Sequence, residues 1–208
     1  ISALLPSPGL FLLWHLFLPC RGLKMLESGD VLAVMGAYLY RLRDNMPPQL
    51  LGPLRIDGTA PVSMASNGQH VLLVSGDAGY VLDLATWIVS IESTLTMQAD
   101  SVAFFAGRFV INELDTGKIW WSGLYDTTVD PLAFATAEAS PDNLVAVAVN
   151  NDNLGLFGAS TAEIWYATGD KDLPFARMQG TYVQAGCIAA QSIAKMGSSV
   201  IWLASSQI

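Results

Sequence analysis

The chain is poor in the residues that catalysis and cross-linking need. Cysteine occurs twice in 208 residues, at Cys20 and Cys187, and histidine twice, at His15 and His70. Two cysteines that far apart make no disulfide framework, and with two distant histidines they have no zinc spacing. Their default reading is two free, mostly buried thiols, which favours a reducing compartment during folding. Charged residues are only 13% of the chain, 18 acidic against 10 basic, for a net charge of −8. No Lys/Arg cluster exists, which argues against tight gripping of nucleic-acid phosphates. A polyanion could still slide past such a surface. Helical periodicity is almost absent. Also missing are the G-x-S-x-G, H-E-x-x-H, Walker A and Rossmann glycine patterns.

What is there is apolar. Hydrophobic residues make up 52%, ample for one cored domain and short for two. "LFLLWHLFLP" (Leu10 to Pro19) has the apolar look of a signal-peptide core. No basic region precedes it, Pro6, Pro8 and Gly9 do, and the run is too short to span a bilayer as a helix. A buried strand or loop is the first reading. A targeting remnant and a partner-binding patch are the alternatives.

Short runs rich in β-branched and aromatic residues alternate with Gly, Asn and Asp turns, which reads as all-β. The runs recur: "VLAV" from Val31, "VLLV" from Val71, "FVIN" from Phe109, "LGLF" from Leu154 and "VIWL" from Val200. Successive steps are 40, 38, 45 and 46 residues. A strand-like segment precedes each run across a tight turn, and Asn67-Gly68 and Ala106-Gly107 suit hairpins that need positive φ. After the first four runs come "AYLYRL", "GYVLDL", "GKIWWS" and "AEIWYA", then weaker fourth strands near Leu54, Ile88, Leu132 and Phe175.

Each unit is thus a four-stranded meander of the length of one β-propeller blade. A lone meander cannot bury both faces, so the blades stack radially. The expected domain is a single propeller over 1–208 with an irregular segment at 1–22. Blades are expected near 23–60, 61–98, 99–140 and 141–183, with a partial one at 184–208. Because the fifth repeat stops after two strands, the propeller reads as a piece of a longer one. Even spacing with a constant internal order argues against the competing β-sandwich.

"DTGKIWW" (Asp115 to Trp121) is the most conspicuous motif. In the blade frame it is the second-to-third turn of the third blade. Asp115 is expected to bond its own backbone and Gly117 to supply the left-handed conformation. Gly107 is a second expected turn glycine. Trp120 and Trp121 point to opposite faces of one strand, where both rings can be buried between blades. The sialidase-type turn S-x-D-x-G-x-x-W and the quinoprotein motif are matched only in part.

Asp115, Asp126, Asp130, Glu138 and Glu163 are carboxylates that could pair for glycoside hydrolysis, with Arg108 and Arg177 as nearby cations. Nothing in the sequence brings two of them together. "NNDN" (Asn150 to Asn153) lacks calcium-loop spacing and reads as a plain turn. His70 heads a strand and reads as structural. No catalytic, cofactor-binding or metal-ligating residue is assigned, and no cofactor is expected.

One stretch goes beyond turn logic. From Trp120 to Ser205 the chain carries "FATAEASPD" at Phe134 to Asp142, "FG" at Phe157-Gly158, and "EIWYATG" at Glu163 to Gly169. It continues with Pro174-Phe175, Gly186-Cys187 and "SIA" at Ser192 to Ala194. In order and spacing this resembles the tail hub proteins of short-tailed bacteriophages, also called packaged-DNA stabilisation proteins. "PSPGL", "CRGLKM" and "GAYLYRL" resemble that family's N-terminal elements more loosely. "LFLLWHLFLP" departs from it, where a shorter or more polar linker is expected.

The resemblance implies a non-enzymatic virion structural protein, longer at both ends, made and assembled in the bacterial host cytoplasm. It implies a homohexameric ring below the portal and its portal-adaptor protein. That ring closes the channel before DNA ejection with a tail needle or plug, and carries tailspike or fibre proteins. DNA would be a non-sticking passenger, and no membrane insertion is implied. A sialidase-like glycan-acting propeller and a generic propeller scaffold are the alternatives.

Overall fold

The computed structural model describes residues 16, 18–55, 59–137 and 142–205. Glu138, His15 and most of Leu10–Pro19 lie outside the described residues. The architecture is all-β, with one short 3₁₀ turn at Ala190–Ser192. The first sheet is β1 (Cys20–Met25), β2 (Val31–Met35), β3 (Tyr38–Leu42) and β4 (Gln49–Pro53). The second is β5 (Ser63–Ser66), β6 (His70–Ser75), β7 (Ala78–Asp83) and β8 (Val89–Ile91). The third is β9 (Ala99–Phe105), β10 (Arg108–Glu113), β11 (Lys118–Ser122) and β12 (Val129–Thr136). The fourth is β13 (Leu144–Asn150), β14 (Asn153–Gly158), β15 (Ala162–Ala167) and β16 (Phe175–Arg177). A two-stranded fifth holds β17 (Ala194–Met196) and β18 (Ser199–Ile201).

Every four-stranded sheet keeps sequence order, with all pairs antiparallel. That is the meander the forty-residue spacing predicts, and the sheets are propeller blades. The recurring apolar runs are the second strands. β1 opens at Cys20, inside the stretch expected to be irregular. The Cys20 thiol is exposed, so only Cys187 meets the expectation of a buried one.

Consecutive sheets pack face to face through four apolar seams. Leu32, Val34 and Leu39 of the first meet Val71, Leu73 and Leu82 of the second. Leu72, Val74 and Val81 of the second meet Val102, Phe109 and Ile111 of the third. Val110, Ile119 and Trp121 of the third meet Leu154, Leu156 and Trp165 of the fourth. Phe157 of the fourth meets Val200 and Trp202. Because side chains alternate, β6, β10 and β14 serve the seams on both their faces, so their runs are apolar but for Asn112 and Gly155.

The turns are made by left-handed residues. Gly29, Gly68, Ala106 with Gly107, Asn151 and Gly197 take positive φ in the five first-to-second hairpins. Asn67 side-chain oxygen accepts the Gln69 and His70 amides at 2.9 and 2.6 Å, so Asn67 closes its turn as an acceptor.

Candidate functional site

Opposite the fourth residue of each of the first four recurring runs sits a small residue on the innermost strand. Gly22 faces Val34, Ser63 faces Val74, and Ala146 faces Phe157. Ser101 meets Asn112 in the same place. The reason is close approach. A Cβ at Gly22 would run into the Val62 carbonyl of the next inner strand. The same level carries a hydrogen bond from each inner strand to its neighbour. The Val62 amide donates to the Arg21 carbonyl at 2.9 Å, Val102 to Ser63 Oγ at 3.0 Å, and Val147 to Ser101 Oγ at 2.8 Å.

Asn112 completes the third-to-fourth clasp. It is wholly buried, its Oδ1 accepts the Ser101 amide and hydroxyl at 2.7 and 2.8 Å, and its Nδ2 donates to the Leu144 carbonyl at 3.4 Å. Glu92 makes a second clasp. One carboxylate oxygen accepts Thr94 and the other accepts the Thr127 hydroxyl at 3.0 Å, tying the second sheet to the third. Both clasps escaped the sequence reading. A signal existed for one: Asn112 stands where the other runs have Val34, Val74 and Phe157.

A cavity of about 210 Å³ lies along the axis, between the first strands of all four complete sheets and the 190–193 segment. Burial pushes the Asp100 carboxyl there up, and neighbouring Asp115 adds to it. Burial likewise lowers the Lys24 ammonium, and Lys195 of β17 adds to it.

The Asp115–Trp121 turn corrects two expectations. Asp115, not Gly117, holds the left-handed conformation, at φ 56°. Thr116, not Asp115, makes the local side-chain bond, with its Oγ1 accepting the Lys118 amide at 3.1 Å. Gly117 is needed for space, since a Cβ there would stand 3.2 Å from the Asp142 carbonyl. Trp121 is buried, 5.7 Å from Phe175 and edge-on to it. Trp120 is only half-buried. Its indole donates to Glu113 at 3.0 Å and its ring packs 5.0 Å from Phe134. The motif wedges blades together.

The remaining expected residues are spread across the fold. Asp126 accepts its own turn's Thr127 amide at 2.7 Å. Asp130 accepts the Leu132 amide at 2.8 Å. Glu163 is buried, and Trp165 donates to it at 2.8 Å. His70 opens β6, and Asn151 forms the β13–β14 turn at φ 52°. Arg177 pairs in register with Trp165. Among the described members of the expected set, Arg108 and Asp130 come together. They line a cleft of about 620 Å³ with Trp121, Leu132, Lys171 and Asp172. Arg108 there donates to the Ser122 carbonyl at 2.8 Å. Among the described residues, no three His, Cys, Asp or Glu gather as a metal site, and no helix is long and apolar enough to cross a membrane.

The family described as "Bacteriophage P22 Gp10, beta-propeller" matches residues 21–207, nearly the whole chain. The chain belongs to this family. It is therefore a member of the phage stabilisation β-propeller proteins, a family of virion structural components. No curated protein matches the chain. Among solved structures, a chain of the mitotic checkpoint complex is similar at 13% identity and TM-score 0.57. The likeness covers 83% of this chain and 53% of that one, so this chain spans about half its length. At that identity it shows the shared fold alone. The phage family match is what connects the fold to a biological setting.

Proposed function

We propose that this phage stabilisation protein works in the virion tail as a non-enzymatic subunit of a ring below the portal and its adaptor. The ring is homohexameric, closes the DNA channel with a needle or plug until ejection, and carries tailspikes or fibres. It is assembled in the host cytoplasm. The five sheets belong to one propeller domain that further blades complete. The family match over residues 21–207 carries this reading.

Two physical observations support it. A net charge of −8 repels DNA phosphate, as a passage should. Exposed apolar residues such as Ile88, Leu124 and Leu132 also supply the protein–protein surface that a ring subunit needs.

The test is native mass and negative-stain imaging of the full-length protein mixed with portal-adaptor and tailspike proteins. A six-fold ring, or incorporation beneath the adaptor, is the expected outcome. A persistent monomer that joins no tail component sinks the reading. A glycan-acting enzyme is the second reading, on the one observation that Asp130, Asp172 and Arg108 line a single cleft. Hydrolysis of surface polysaccharide that Asp130→Asn abolishes would establish it.

A further inference from the structure

In an antiparallel meander, the first-to-second and third-to-fourth turns lie at one end of the blade and the second-to-third turns at the other. The two ends of these blades differ in kind. Each third-to-fourth turn exposes a large apolar side chain: Met46 in the first blade, Ile88 in the second, Leu124 and Tyr125 in the third, and Leu173 in the fourth. Ile88, Leu124, Tyr125 and Leu173 are each more than 60% exposed. The second-to-third turns, at residues 36–37, 76–77, 114–117 and 159–161, expose none.

A scattered exposed leucine means little, but the same corner of four successive blades is not scatter. Each of these corners also carries an aspartate: Asp44, Asp83, Asp126 and Asp170. With Asp172 added, they hold five acidic residues against two basic ones, Arg43 and Lys171. The corners are fixed rather than loose. Asp83 accepts the Ala85 and Thr86 amides at 2.7 and 2.9 Å, and Asp170 accepts those of Asp172 and Leu173 at 2.7 and 2.9 Å. Those bonds keep both carboxyls ionised.

We propose that the third-to-fourth turns of successive blades form one docking surface, and that it seats a basic protein face in the tail. The apolar residues are the anchors, and the aspartates select the sign of the partner. DNA is excluded by the like charge. A second copy presenting the same face is excluded for the same reason, because aspartates would meet aspartates. This rests on the tail reading above and adds which end of the propeller meets a partner, and of what chemistry.

The test uses full-length protein and portal-bearing phage particles assembled without it, with binding read by co-sedimentation. Leu124→Ser with Leu173→Ser, and separately Asp44→Lys with Asp170→Lys, should each weaken binding by about tenfold or more, the loss of one anchor's worth. Parent binding should fall as salt rises. Asp77→Lys, on the opposite end, should bind as the parent does. The leucine variants and Asp77→Lys should keep the parent's melting curve, while Asp44→Lys with Asp170→Lys should melt slightly lower, because the Asp172 and Leu173 amides lose their acceptor. Turn variants that bind at parental strength, or parent binding indifferent to salt, overturn the inference and leave the tail reading standing. A parent that binds no particle overturns both.

Discussion

The inner and outer parts of each blade obey opposite rules. Near the axis, adjacent first strands approach so closely that Gly22, Ser63, Ser101 and Ala146 hold one level, and the Ser101–Asn112 pair there is buried and satisfied. At the outer turns the chain does the reverse. It exposes Ile88, Leu124 and Leu173 to solvent and holds them on hydrogen-bonded corners. Packing explains the first set completely. It explains little of the second: Leu124 lies against the Gly107 hairpin, but side chains more than 60% exposed contribute little to the blade that carries them. Inner residues therefore report how the propeller holds together, and outer ones report what it meets.

Substitutions sharpen the contrast, and the largest effects belong inside. Trp121→Ala removes the ring that fills the third-to-fourth seam beside Phe175, and should cost about 3 to 5 kcal/mol in denaturant unfolding. A loss no larger than that of an outer-turn variant would mean the seam is not continuous. Asn112→Ala strands the buried Ser101 amide, and should cost about 2 to 3 kcal/mol by the same measurement. Gly117→Val should cost less, about 1 kcal/mol, because the added Cβ crowds the Asp142 carbonyl without forcing a left-handed backbone. A melting curve unchanged from the parent would remove Gly117 from the account of the third blade.

The fold was readable because it repeats. Five apolar runs at forty-residue spacing carried the meander order of the strands and the positions of most hairpins, since a strand packed between two blades is apolar on both faces. Details that depend on one side chain's partner were not readable. Spacing suggests a glycine for the left-handed position of the Asp115–Gly117 turn, yet Asp115 takes it, because Thr116 closes the turn and Gly117 is needed for room. The Glu92 clasp joins residues 35 apart and leaves no local pattern. The outer corners were invisible for a different reason. Met46, Ile88, Leu124 and Leu173 look like core residues in sequence, and only their exposure sets them apart.

The smallest expected effect tests the contrast on a single residue type. Near the axis, Asp100 has its carboxyl pushed above the usual aspartate range, first by burial and then by Asp115. At the outer corner, Asp170 has its carboxyl held below that range, chiefly by the Leu173 amide and then by that of Asp172. The linkage signs are opposite. A raised folded pKa means that ionised Asp100 costs stability at neutral pH, a cost relieved as pH falls through that pKa. A lowered one means that Asp170 contributes above the unfolded value, a contribution lost as pH falls through its folded pKa. Asp100→Asn should therefore unfold at slightly higher denaturant than the parent at pH 7, with the gap closing toward about pH 4, near the ordinary aspartate value. Asp170→Asn should unfold at slightly lower denaturant at pH 7, and that gap should also close in acid. Asp170 is exposed, so its effect is the smaller of the two. If both substitutions shift the midpoint in the same direction, the axis is wetter than its packing implies, and inside and outside would not differ electrostatically.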